Sequence, residues 1–369
     1  MVLDMVSEEE KASFFSLLKK FSDAIGVSGY EFEIRRLIVE EVGELADKIW
    51  TDKLGNIVAL KEGESSNAPK LMVAAHIDEI GLIVSHIDSR GFLRFTGVGG
   101  WNERILPGQR VIVVTSKGRL RGVIGMKPPH IMTPEEKKQV LEMDKLFVDI
   151  GVSSREEAEK LGVNVGSVIV FDREVARLGG GDKVTGKAFD DRVGVAALAY
   201  MLKLLRNEPL EANVYAVFTV QEEIGLKGAR VSAFSISPDV GVAVDVTIAN
   251  DIAGVEEKDW ITQLGKGPAI KIMDRGNISH PKVRELLIRV AEKEKIPYQL
   301  EVLTGGATDA AAIQLAREGI PVGTVSIPTR YIHSPIEVLD LNDAVNASKL
   351  LAAFAKEVTK EWVNELSKW

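Results

Sequence analysis

The sequence predicts an α/β fold: a three-layer α/β/α domain on a mainly parallel or mixed central sheet, with a small inserted β-rich domain of barrel or PDZ-like type. Three observations predict it. Near-continuous apolar segments such as VYAVFTV (214–220), VGVAVDV (240–246) and VGTVSIP (322–328) alternate with helical segments such as PKVRELLIRVAEKEK. That is the pattern of strands covered on both faces. From residue 81 to about 175 the texture changes to short strands, LIVSHI, GFLRFTGV, RVIVVTSKGRLRGVIG, KLFVDIG and SVIVF, separated by Gly-containing turns. Finally, 369 residues at 45% hydrophobic content can bury a sizeable core and exceed one typical domain. The reading assigns residues 1–80 and 176–369 to a discontinuous α/β domain and 81–175 to the insert.

In chain order, Ser7–Ile25 and Tyr30–Lys48 read as helices, the second opened by Ser28 with Glu31 three residues on, a capping-box pattern. KIWTDKLGNIVALK reads as a hairpin turning around Asp52–Gly55, and KEGESSNAPK (61–70) as a polar loop. LMVAAHID is a strand that stays apolar until His76 and Asp78. Within the insert the clear helix is Arg155–Leu161, capped by Ser154 with Glu157. DDRVGVAALAYMLKLL sets Val193, Ala196, Ala197, Tyr200, Met201, Leu204 and Leu205 on one helical face. TDAAAIQLAREG and a long amphipathic stretch, Asn342–Leu366, supply the last helices.

Composition narrows the function. A net charge of −8 offers no basic face to nucleic acid or an anionic membrane. No apolar run approaches the ~20 residues that span a bilayer, and the start, MVLDMVSEEEKAS, lacks the basic and apolar regions of a secretory signal. A cytoplasmic protein is expected. Zero cysteines exclude disulfides, thiolate metal sites and a Cys nucleophile, and beside 27% charged residues they suit a thermophile.

The chemistry gathers at strand ends: His76 and Asp78, Asp190 and Asp191 in KAFDDR, Glu222 and Glu223 after VYAVFTV, Asp245 in VAVDV, and His333 in RYIHS. Singly, each has a bland reading. Asp190 or Asp191 could cap a helix, and His76 could be a satisfied core histidine. Asp245 resists one, since an ionised carboxylate between Val244 and Val246 is expensive unless paired or metal-bound. Together, histidines and carboxylates without cysteine make the ligand mixture of a hydrolytic zinc, cobalt or manganese site. His76 and Asp78 lie two apart on one strand face, so Asp78 can accept the second ring N–H of His76. Adjacent Glu222 and Glu223 would point to opposite faces of a strand, and can serve one site only where the strand unwinds.

In order and spacing, HxD, FDDR, QEEIG, VDVT, GGATDA and RYIHS resemble the tetrahedral aminopeptidase family, also called deblocking or glutamyl aminopeptidase-like enzymes and sometimes labelled endoglucanase M. The resemblance covers nearly the whole chain. It implies a metallopeptidase with two divalent ions per chain, zinc or cobalt. His76 and Asp245 would hold one ion, Glu223 and His333 the other, and Asp190 would bridge them. Glu222 is expected as general base, Asp78 as support for His76, and Asp191 outside the ligand set as a helix cap or second partner. Gly306, Thr308 and Asp309 are expected near the substrate. The resemblance further implies release of N-terminal amino acids from short peptides, and dimers built through the insert joining into a homo-dodecamer. Another dimetal amidohydrolase or deacylase is an alternative. So is a glycosidase, though a retaining one needs two carboxylates and neither the histidines nor a metal. A non-enzymatic scaffold would be marked by loss of a ligand or of Glu222, and none is missing. His280, before Pro281, is expected at a helix start, and His86 and His130 at the surface of the insert.

Overall fold

The computed structural model describes residues 6–138 and 141–368. The first five residues of the opening segment discussed above lie outside them. The chain runs α1 (Glu8–Ser22), α2 (Phe32–Val42), then strands β1 (Lys48–Thr51), β2 (Ile57–Lys61) and β3 (Lys70–His76). Next come β4 (Gly81–Ile87), β5 (Leu93–Val98), β6 (Arg110–Thr115), β7 (Gly118–Gly125), β8 (Phe147–Asp149), α3 (Arg155–Lys160) and β9 (Val168–Phe171). The α/β part resumes with β10 (Ala176–Arg177), β11 (Lys183–Gly186), α4 (Phe189–Leu205), β12 (Asn213–Thr219), α5 (Lys227–Ile236) and β13 (Val240–Ile248). It ends with β14 (Ala269–Met273), α6 (Pro281–Lys293), β15 (Gln299–Val302), α7 (Asp309–Ile313), β16 (Val322–Arg330), β17 (Glu337–Asp340), α8 (Leu341–Glu357) and α9 (Lys360–Leu366).

The large sheet is mixed, in the order β1-β2-β12-β3-β13-β16-β17-β11-β10, with β14 added to β16 and β15 to β14. Its centre, β12, β3, β13 and β16, is parallel. Side-chain alternation divides these strands between two cores. Leu71, Val73 and Ala75 of β3, with Val242 and Val244 of β13, face α1, α2, α4, α6 and α8. Met72, Ala74 and Ala243 face α5 and α7. Three layers result, as the continuous apolar strands predict. Because the four central strands run the same way, their carboxyl ends open along one edge, where ligand sites form in such sheets.

Between Gly81 and Phe171 the strands close into a barrel, β4-β5-β8-β7-β6-β9, around Leu82, Leu93, Phe95, Val113, Val148 and Ile169. Ser154 caps α3, accepting the Glu157 amide. His86 and His130 are exposed, and His280 precedes α6 as expected.

Several local expectations change. The capping box belongs to Ser7 and Glu10 on α1, not to Ser28 and Glu31. Ser28 instead donates its hydroxyl to Asp78, and α2 starts later, at Phe32. The C-terminal stretch is two helices, broken at Val358, with Thr359 capping α9 through the Trp362 amide. TDAAAIQLAREG holds only the short α7, capped by Thr308.

One buried ionic cluster ties the N-terminal helix to the entry of α4. Lys187 Nζ lies 2.8 Å from Glu79 Oε2 and donates to Ala24 O, while fully buried Arg192 donates to the carbonyls of Phe21, Ala24 and Gly26. Both cations therefore satisfy carbonyls in and just beyond the last turn of α1, where the helix dipole favours positive charge. Removing one member of a buried charged network strands its partners, at about 3–5 kcal/mol. Arg192→Met should accordingly lower the thermal midpoint markedly; a midpoint equal to wild type would contradict this account of the α1 junction.

Candidate metal centre

His76 and Asp245 stand on β3 and β13, whereas Asp190, the two glutamates and His333 follow three turns, each containing a non-glycine residue with positive φ. Ala188 (φ 55°) precedes Asp190, Gln221 (φ 56°) precedes Glu222, and His333 itself has φ 59°. Such conformations cost of order 1–3 kcal/mol each and persist where the surroundings over-determine them. Gln221 explains the adjacent glutamates: β12 ends at Thr219, and the turn breaks strand alternation before Glu222 and Glu223.

The side chains converge on Asp190. Its Oδ1 lies 3.0 Å from His76 Nε2, and its Oδ2 3.2 Å from His333 Nε2. Asp245 Oδ1 and Glu222 Oε2 each stand 4.0 Å from His76 Nε2, and Glu223 Oε1 stands 3.3 Å from His333 Nε2. Ligand atoms of His76, Asp190 and Glu223 lie within 4.8 Å of one another, as do those of His76, Asp191 and Asp245. Each Asp191 oxygen accepts one amide: Oδ1 accepts Gly194 N and Oδ2 accepts His76 N. It thus acts as helix cap and backbone anchor at once.

Asp78 departs from its expected contact. The second ring nitrogen of His76 meets the backbone carbonyl of Asp78 at 3.0 Å, while the carboxylate Oδ1 is 3.6 Å away, beyond hydrogen-bond range. The carboxylate accepts instead the amides of Glu222 (2.9 Å) and Glu223 (3.2 Å) and the Ser28 hydroxyl (2.5 Å). It fixes the glutamate turn.

Of the residues expected near substrate, Asp309 is buried and accepts the Thr219 hydroxyl at 2.5 Å, leaving Oδ1 without a partner. Thr308 is buried as the α7 cap, and Gly306 is exposed with φ 67° in the preceding loop. Thr308 and Gly306 make no hydrogen bond to the carboxylate cluster. Two contributions escaped the sequence reading. Glu337 accepts the amides of Asp190 (3.1 Å) and His333 (2.9 Å) on its two oxygens. The barrel supplies Gly99 and Gly100, against which a Cβ would lie 3.3 Å from Glu223 Oε2 and 3.1 Å from His333 Nδ1 respectively. The pair GG before Trp101 was the available signal for close backbone approach.

The electrostatics describe a donor set short of positive charge. Burial, with repulsion from Asp245 and Asp309, pushes Glu222 well up despite His76. Burial and Asp190 likewise push up Asp245, although His76 opposes it, and burial takes Asp309 to about 6. Burial alone would lower the histidines. For His76, Glu222, Asp190 and Asp78 outweigh it; for His333, Asp190 and Glu223 raise the imidazole to about 12. Asp190, facing both rings, is held low in spite of its burial. Glu223 Oε1 is buried with no hydrogen-bond partner although His333 stands beside it. Crowded carboxylates, two imidazoles and an orphaned oxygen fit divalent cations.

Known proteins resemble this chain in sequence and fold. Residues 55–350 match the family model described as M42 glutamyl aminopeptidase. A lysyl aminopeptidase of Pyrococcus furiosus is 42% identical over 93% of this chain and 97% of its own. An aminopeptidase from the archaeon Desulfurococcus kamchatkensis superposes with a TM-score of 0.93 at 50% identity, covering 97% of this chain and 99% of that one. The Pyrococcus horikoshii TET1 peptidase, described as assembling into a tetrahedron or a large octahedral shell, gives 0.84 at 39% identity over 94% and 100%. No helix among the described residues is long and apolar enough to cross a membrane. Family model, relatives and fold agree: the chain is an aminopeptidase, a peptide hydrolase, and belongs to the M42 glutamyl aminopeptidase family.

Proposed function

We propose that this chain releases amino acids one at a time from free N-termini of short peptides, using two divalent ions, zinc or cobalt, shared across Asp190. The carrying observation is that the two oxygens of Asp190 face two different imidazoles, His76 and His333. His76 and Asp245 would complete one ion's protein ligands, Glu223 and His333 the other's. Asp190 is favoured over Asp191 as the bridge because its two oxygens face both histidines, whereas those of Asp191 face backbone amides. Bound there, the ions would supply Lewis acidity toward the scissile carbonyl and lower the pKa of water.

The chain's own residues account for the proton traffic. Glu222, in the turn pinned by Asp78, has a pKa moved up by burial, the direction that suits a general base at neutral pH. Its carboxylate takes the proton of the attacking water and returns it to the leaving amine. Gly99 and Gly100 let the barrel wall approach Glu223 and His333 closely. The barrel is also the proposed dimer contact within a dodecamer; assembly into a closed shell is supported by the tetrahedron described for the P. horikoshii relative. The histidines give the glycosidase alternative no support.

Three substitutions and a pH series test this reading. Glu222→Gln should retain both metals while kcat falls by about 10²- to 10⁴-fold, whereas Glu223→Gln should lose occupancy of one ion and regain activity in excess metal. Metal analysis beside kinetics decides, and the reverse pattern would interchange the two roles. Gly100→Ala should push on the His333 ring and weaken metal retention; unchanged retention against a chelator would argue against that contact.

The pH dependence has a definite sign. In metal-free protein the raised pKa of His333 contributes stability fully present below the ordinary histidine range and lost as pH climbs toward about 12. Metal competes with those protons, so loading should release protons and tighten as pH rises. Calorimetry in buffers of different ionisation enthalpy would detect the release, and pH-independent binding would contradict it.

A further inference from the structure

We infer that Glu337 is the positioning residue for Asp190 and His333, holding both by their backbone amides. The inference rests on the dimetal reading above. Glu337 opens β17 and is paired in register with Gly186, the last residue of β11, while its neighbour Val338 pairs with Arg330, the last residue of β16. Three strand ends therefore meet at this position. From two of them the chain departs toward the site: Gly186 leads through Ala188 (φ 55°) to Asp190, and Arg330 leads through Tyr331 (φ 61°) to His333 (φ 59°).

Left-handed residues turn each exit away from the ladder, so the amides that follow have lost regular strand partners. The Glu337 carboxylate replaces them, with Oε2 accepting from Asp190 at 3.1 Å and Oε1 from His333 at 2.9 Å. Asp190 and His333 are 143 residues apart in sequence and meet at this one side chain, which is only 1% exposed. A carboxylate suits the task because it is acceptor-only on both oxygens, whereas a glutamine would confront one of the two N–H groups with its own NH₂. The arrangement parallels that of Asp78, which accepts the amides of Glu222 and Glu223. Two non-ligating carboxylates thus orient the four segment positions from which Asp190, Glu222, Glu223 and His333 project. Burying a second acid beside Asp190 has an electrostatic cost, which the two amide hydrogen bonds partly offset.

The test uses the full-length chain, stripped of metal and titrated with Co²⁺, reading the visible absorption of bound cobalt and affinity by chelator competition. E337Q preserves size but offers one acceptor for two amides. Since Asp190 is shared, affinity for both ions should fall about 10- to 100-fold, the range for losing a partner that orients ligands, and the cobalt spectrum should change. A variant that folds, as judged by circular dichroism and subunit assembly, and binds two Co²⁺ with wild-type affinity and spectrum would overturn the inference, whatever its thermal midpoint. Should E337Q not fold, E337D is read in the same way, because it keeps both acceptors but withdraws them by one methylene; wild-type affinity in E337D would overturn the inference too. A wild-type chain that itself fails to bind two ions would instead overturn the dimetal reading, and this inference with it.

Discussion

The site depends on one carboxylate, Asp190, placed so that each of its oxygens meets a different imidazole. His76 arrives at the end of β3, Asp190 at the entry to α4, and His333 after β16, so three separate parts of the chain must agree in position. The parallel centre of the sheet makes that possible by delivering several strand ends to one edge. The crowd of acids around Asp190 could not persist there without positive charge, since buried carboxylates repel one another and are poorly solvated. The imidazoles answer part of that demand, and divalent cations would answer the rest.

Precision in such a site comes from the layer behind it. Asp78 grips the glutamate turn by two amides and Ser28, Glu337 grips the Asp190 and His333 segments, and Asp191 joins the His76 amide to the start of α4. Beyond these, Lys187 and Arg192 bind the carbonyls closing α1 and pair with Glu79, fastening the segment on either side of Asp190 to the N-terminal helix. Left-handed backbone at Ala188, Gln221 and His333 is the conformational cost, distributed over the places where side chains leave regular structure to reach the centre. The barrel also participates, because its Gly99–Gly100 turn packs where any side chain would press on Glu223 or His333.

Much of this was legible in the sequence for physical reasons. Long apolar strands and an abrupt change to short strands gave the layered domain and the barrel, and polar residues at strand ends marked the centre. Position-specific contacts were not legible. The Ser28 and Glu31 spacing satisfied the capping pattern, yet Ser28 was required by Asp78, and a hydroxyl has no way to announce which partner it serves. Asp78 was expected on the His76 ring because two residues apart means one face, but the strand ends at His76, and beyond it that rule no longer applies. Glu337 was hidden because its partners are backbone amides, which every residue possesses. The break at Val358 lay within an uninterrupted amphipathic pattern, and only the Thr359 cap marks it.

The central claim is that one carboxylate is shared by two cations. X-ray data from metal-loaded crystals, collected above and below the zinc or cobalt absorption edge, would locate the ions directly by anomalous difference. The account predicts two peaks per chain flanking Asp190, one beside His76 and Asp245 and the other beside Glu223 and His333. A single peak, or two peaks with Asp190 bound to neither, would contradict it.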